Sequence, residues 1–168
     1  MRLAITGGTG FVGGHLIEAA LAAGHEIKAL TRRSQPERDG VDWVQGDLGT
    51  RDALEWLVSE ADAIIHVAGT INAPNAAGFE QGNVAGTLAM LAAATAGGVR
   101  RFVHVSSLAA REPKLSLYGG SKARAEPVTN TTASSDSRLI TPIAVPIASP
   151  SVASAEVLWQ MRTIIRRS

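Results

Sequence analysis

Along the first 126 residues, short apolar runs of strand length alternate with longer stretches whose apolar positions recur at helical spacing. Residues 2–6 read as a buried strand, followed by a glycine cluster and a helix over 11–23 that stops at Gly24. Strands are predicted over 26–31, 42–45, 62–67 and 101–105, with helices over 51–59 and 79–96, the latter ended by Gly97-Gly98. Strands separated by helical segments of this length need right-handed crossovers and form a parallel sheet covered on both faces. The expected architecture is α/β: a doubly wound parallel sheet in a single domain, with ligands at the carboxyl ends of the strands.

Composition narrows the options. With 168 residues the chain suits one domain with a sizeable core. A net charge of +1 with 18% charged residues suggests neither nucleic acid nor an anionic membrane as a partner. No apolar run approaches the roughly 20 residues needed to span a bilayer. The chain opens directly on a strand and leaves no room for a cleavable signal, so a soluble cytoplasmic protein is expected. The lack of cysteine excludes a disulfide framework, a thiolate metal site and a cysteine nucleophile. His15, His25, His66 and His104 share no metal-ligand spacing and are expected in core or surface roles, with no metal site.

The candidate chemistry falls at the predicted strand ends. Thr6-Gly7-Gly8-Thr9-Gly10-Phe11-Val12-Gly13 satisfies both G-x-G-x-x-G and T-G-x-x-G-x-x-G, between a strand and a helix. Gly7 and Gly10 permit a tight turn and close backbone approach to a pyrophosphate, and Gly13 lets helix and strand pack closely. The first amides of the helix, at Phe11 and Val12, then face the phosphates with the helix dipole behind them. At the end of the second strand, Thr31 holds the place where an acidic residue would accept a ribose 2′-hydroxyl. Arg32 and Arg33 follow, which favours NADP over NAD; a solvated pair of loop charges is the alternative. Tyr118, the only tyrosine, precedes Lys122 by four residues in a chain with three lysines. That spacing stacks a phenol and an ammonium one helical turn apart, where the cation stabilises a phenolate. A solvated surface pair would have the same spacing.

In order along the chain, these motifs resemble the short-chain dehydrogenase/reductase superfamily, in its extended branch of NAD(P)-dependent epimerases, dehydratases and reductases. Gly46-Asp47-Leu48 resembles the element whose aspartate contacts adenine, and His66-Val67-Ala68-Gly69 the strand end beside the cofactor ribose. Asn83-Val84-Ala85-Gly86-Thr87 resembles the N-V-x-G-T helix, Ser106-Ser107 ends the serine strand, and Tyr118 to Lys122 supplies Y-x-x-x-K. The resemblance implies that Tyr118 exchanges a proton with the substrate oxygen while Ser107 holds that oxygen. Lys122 would stabilise the phenolate and bind the nicotinamide ribose, and Asn83 would order the helix and a relay water. Ser106 is the alternative hydroxyl, since strand alternation lets only one of the two face the site readily. Asp47 also suits a strand-to-helix cap, and Asn83 an ordinary helix position.

After residue 126 the character changes. All 17 glycines lie at or before Gly120, whereas four of the seven prolines lie between Pro127 and Pro150. Residues 1–126 therefore read as the dinucleotide-binding domain, and 127–168 as a divergent segment with a sixth strand over 138–145 and a terminal helix over 153–166. Pro127 is expected to end or kink the Tyr118 helix, at about 3 kcal/mol, which puts in doubt the homodimer that this helix builds in the family. Pro142 resembles the proline beside the nicotinamide, with Thr141 in place of the usual arginine. Extended members continue for another hundred or more residues forming the substrate lobe, which is largely missing. The functions left open are hydride transfer on a small carbonyl or secondary alcohol substrate, a non-catalytic NADP(H)-binding module, and a truncated inactive member.

Overall fold

The computed structural model describes residues 1–134 and 139–145, with side chains through Pro127. The terminal helix expected over 153–166 lies outside the described residues. Six parallel strands, β1 (Arg2–Thr6), β2 (Glu26–Thr31), β3 (Val41–Gln45), β4 (Ala63–His66), β5 (Arg101–Ser107) and β6 (Leu139–Val145), line up in the order β3-β2-β1-β4-β5-β6. The order reverses between β1 and β4, and this switch point opens a crevice at the strands' carboxyl ends. The doubly wound, Rossmann-type fold expected from the strand–helix alternation is the one observed.

Strand alternation divides the core between the two faces. Leu3, Ile5, Ile27, Ile65 and Val103 pack with Leu16 and Ile17 of helix α1 (Phe11–Ala22). Their neighbours Ala4, Leu30, Ile64 and Phe102 pack on the opposite face with α2 (Arg51–Val58) and α4 (Gly86–Ala96). Lys28 breaks the apolar pattern of β2: it is buried, and its ammonium donates to Ser59 Oγ at 2.7 Å and to the Trp56 and Ser59 carbonyls. It also lies 4.1 Å above the Trp56 ring, so a cation closes the carboxyl end of α2.

The crossover after β4 differs from the expected single helix over 79–96. Helix starts at α3 (Ala76–Phe79), because Asn75 caps it by accepting a bond from the Gly78 amide at 3.0 Å. A π segment (Glu80–Ala85) then leads into α4. Strand β5 runs on to Ser107 rather than ending at 105, since pairing with β6 continues to Ser107 opposite Val145.

The helix carrying Tyr118, α5 (Leu117–Ser134), does not end at Pro127 but contains it. Pro127 has no amide for the carbonyl one turn back, a loss of about 3 kcal/mol. Packing against β5, β6, α4 and the π segment holds the helix despite that loss. Among the described residues no helix is long and apolar enough to cross a membrane.

The turn between β1 and α1 is closely packed against backbone. Gly7 adopts φ +73°, with space for a side chain blocked by the Ala68 amide nitrogen at 2.7 Å. A β-carbon on Gly13 would stand 2.1 Å from the Gly7 carbonyl oxygen, a backbone atom that cannot swing aside. Gly13→Ala is therefore expected to destabilise the fold by about 3 kcal/mol or more. Urea unfolding measures this, and a loss under about 1 kcal/mol would show that the turn can relax.

Candidate functional site

The crevice begins with the amino end of α1. Gly10 is its N-cap with no side-chain capping bond, and the first turn holds no acidic residue. The amides of Phe11, Val12 and Gly13 are the donors a helix leaves without internal partners, and here they edge the crevice with the dipole's positive end. Gly10 itself closes the turn by donating to the Gly7 carbonyl at 3.0 Å.

Toward the β3 edge, Thr31 is buried and its hydroxyl is spent locally, donating to the Arg33 carbonyl at 2.7 Å. Arg32 and Arg33 are exposed beyond it. Asp47 Oδ1 accepts from the Gly49 amide and from Thr50 Oγ1, both at 2.9 Å, building the turn into α2. These bonds hold the Asp47 carboxyl below its usual range, with a smaller contribution from the Arg32 charge. Leu48 packs against the start of α4 at Gly86.

Toward the β6 edge the other candidates converge. Asn83, in the π segment and 1% exposed, accepts the Thr70 amide at 2.7 Å and donates to the Thr70 carbonyl at 3.0 Å. Its Nδ2 also donates to Ser121 Oγ at 2.8 Å, and Ser121 donates to the Tyr118 carbonyl at 2.7 Å. One amide side chain thus joins the loop after β4 to the first turn of α5. Gly69, which follows Ala68 at the end of β4, is pressed against Asn83, and a β-carbon there would stand 3.9 Å from the Lys122 ammonium. Lys122 is 3% exposed and donates to the Val105 carbonyl at 2.9 Å. Burial lowers its pKa from the ordinary 10.5 to about 8, opposed in part by Glu126. The cost of burying the ammonium is fully present below pH 8 and disappears as pH rises toward 10.5. The Tyr118 ring lies half-buried, 6.3 Å from that of Phe79.

The two serines part as alternation requires. Ser106 donates to the Glu126 carboxylate at 2.5 Å, whereas Ser107 Oγ accepts the Ala109 amide at 3.2 Å and caps the turn that leads to α5. Pro142 sits opposite His104 in β6 rather than at the strand's end. The candidates thus form two groups, Arg32, Arg33 and Asp47 beyond β2 and β3, and Ser107, Asn83, Tyr118 and Lys122 around β5. The glycine turn lies between them.

The sequence model of the NAD dependent epimerase/dehydratase family matches residues 3–141. The chain belongs to that family. A ceramide reductase of Caulobacter vibrioides is 48% identical over 128 residues, covering 74% of this chain and 40% of that protein. A putative dihydroflavonol 4-reductase of Synechocystis is 36% identical over 112 residues, covering 63% of this chain and 32% of that protein. The chain thus spans less than half the length of these curated relatives. Among solved structures, a short-chain dehydrogenase/reductase superfamily protein of Agrobacterium tumefaciens with bound NAD superposes with a TM-score of 0.78. It is 25% identical, over 86% of this chain and 49% of that one.

Sequence reasoning left several polar residues of the site without a role, although they lie inside its motifs: Thr6, His66, Thr87 and Ser121. His66 and His104 are completely buried and stack at 5.5 Å, and neither nitrogen of His104 has a partner among the described residues. Burial, reinforced by Lys122, lowers His104 to about 3, and burial also pulls His66 well below its ordinary 6.5. Both histidines are neutral when folded and take up protons on unfolding below pH 6.5, so stability is full above that pH and falls as pH drops. The slope approaches about 1.4 kcal/mol per pH unit per histidine. In urea unfolding from pH 7 to pH 4.5, His104→Phe should flatten the decline by up to that amount. Parallel curves for both proteins would contradict the assignment.

Proposed function

We propose that the chain binds a nicotinamide dinucleotide along the carboxyl edge of the sheet and interconverts a carbonyl and a secondary alcohol. The observation that carries this reading is the buried Lys122 ammonium, one helical turn after Tyr118 and anchored on the Val105 carbonyl. The uncapped first turn of α1 and the side-chain-free surface at Gly7 suit a pyrophosphate. In this reading Asp47 and Leu48 flank the adenine, and Ala68 and Gly69 line the path toward the nicotinamide, whereas Pro142, within β6 opposite the buried His104, lies away from it. Arg32 and Arg33, with no acidic residue at Thr31, favour NADP over NAD.

A nicotinamide held there would supply the hydride for the carbonyl carbon, or accept it from the carbinol carbon in the reverse direction. Ser107 donates a hydrogen bond to the substrate oxygen. Tyr118 gives its phenolic proton to that oxygen as the carbonyl π pair becomes an O–H bond, and recovers it in the reverse direction. Lys122 stabilises the phenolate so formed, and Asn83 fixes the first turn of α5 through Ser121. Leu108, Leu115 and Leu117 stand exposed between Ser107 and Tyr118. Together with the likeness to a ceramide reductase, they favour a small-molecule substrate whose reacting oxygen sits on an apolar frame.

Fluorescence titration with NADPH and NADH tests the binding step. NADPH should bind more tightly, and Arg32→Ala with Arg33→Ala should weaken NADPH about 10- to 100-fold while changing NADH little. Equal affinities for the two dinucleotides would remove the NADP preference. Gly10→Val, whose β-carbon would meet only the Gly7 carbonyl at 3.3 Å, should fold yet lose binding. For chemistry, Tyr118→Phe should abolish turnover of long-chain ketones and leave cofactor affinity within about twofold. Undiminished turnover would exclude Tyr118 as the acid.

A further inference from the structure

A second set of buried polar side chains runs beneath the crevice from β1 to the π segment. The Ala68 amide donates to Thr6 Oγ1 at 3.1 Å, and Thr6 Oγ1 lies 2.8 Å from His66 Nδ1. On the other side of the ring, His66 Nε2 lies 3.1 Å from Thr87 Oγ1, which donates to the Asn83 carbonyl at 2.7 Å. Thr6, His66, Asn83 and Thr87 are all at most 1% exposed.

Donor counting fixes every direction. Thr87 has one hydroxyl proton, and the Asn83 carbonyl takes it, so Thr87 can only accept from the ring. His66 therefore carries its proton on Nε2, Nδ1 is the acceptor, and Thr6 donates to it. The result is a one-way chain: Ala68 amide to Thr6, Thr6 to His66, His66 to Thr87, Thr87 to the Asn83 carbonyl. It begins where β4 meets the glycine turn, since the Ala68 amide nitrogen is also the atom that leaves no room for a side chain on Gly7. It ends on the residue whose side chain holds Thr70 and, through Ser121, the Tyr118 carbonyl.

We propose that His66 is a positioning residue whose single tautomer ties the glycine turn to the placement of Tyr118, so that the dinucleotide end and the proton-transfer end of the crevice shift together. The bond chain stands on geometry alone; its consequence for ligands rests on the function proposed above. A ring that only filled space would need neither threonine hydroxyl. Thr87 donates its hydroxyl to the carbonyl four residues back, where the π segment meets α4.

The test uses the full chain without ligand. In Thr87→Val, ¹⁵N NMR should show His66 losing its single Nε2–H tautomer, and the Ala68 amide, at the far end of the chain, should exchange about tenfold faster or more. Thr87→Ser keeps the hydroxyl and should restore both signals. Should Thr87→Val fail to fold, Thr6→Val breaks the chain at its other end and is read at the Thr70 amide. Faster exchange near Thr87 with Ala68 unchanged would overturn the coupling. Where the wild type binds NADPH, Thr87→Val should raise its dissociation constant about threefold or more although Thr87 lies outside the crevice. An unchanged constant beside a lost tautomer would overturn the positioning role. A wild type that binds neither dinucleotide contradicts the proposed function, and the exchange measurement then still decides the bond chain.

Discussion

Beneath the crevice of a parallel sheet covered on both faces, water does not reach the polar side chains of the strand ends, and these, His104 apart, find their partners in the protein. This constraint organises the site. An unpaired buried polar group costs about 1–3 kcal/mol, and more when charged. Thr6, His66, Asn83, Thr87 and Ser121 satisfy one another across β1, β4, the π segment and α5. Lys122, with a charge to bury, is anchored on the Val105 carbonyl, and its lowered pKa records the remaining cost. The network fixes loops that would otherwise be tied only to their own strands.

The strand order then sets what the crevice can hold. β2 and β3 carry Arg32, Arg33 and Asp47 to one side of the switch point, and β5 with α5 carries Ser107, Tyr118 and Lys122 to the other. Between them the amino end of α1 presents backbone donors and no acidic side chain. An elongated ligand with an anionic middle suits that sequence of surfaces, in accord with the chain's membership of the NAD dependent epimerase/dehydratase family.

Much of this was legible from the residues alone where a local rule leaves one answer. Gly7 and Gly13 can be nothing else, because backbone atoms occupy the space of a β-carbon. The core strands declared themselves as apolar runs, and the helix starts at Phe11 and Arg51 were readable although neither carries a side-chain cap bond, whereas the capped start at Asn75 was not. What escaped was tertiary. The π segment exists where Asn83 must reach both Thr70 and Ser121, partners 13 and 38 residues away. Pro127 defies its propensity because the helix around it is held by the sheet. The pairing of Thr6 with His66 spans 60 residues, and no spacing rule encodes it.

The central claim is that Lys122 is a desolvated ammonium poised under the site rather than a solvated surface charge. Side-chain NMR titration of the full chain measures this directly, with Lys122→Arg assigning the signal among the three lysines. The expected result is a Lys122 midpoint lowered to about pH 8, chiefly by burial. A midpoint at the ordinary lysine value of 10.5 would mean that the ammonium is in water, and the account of the site would fail with it.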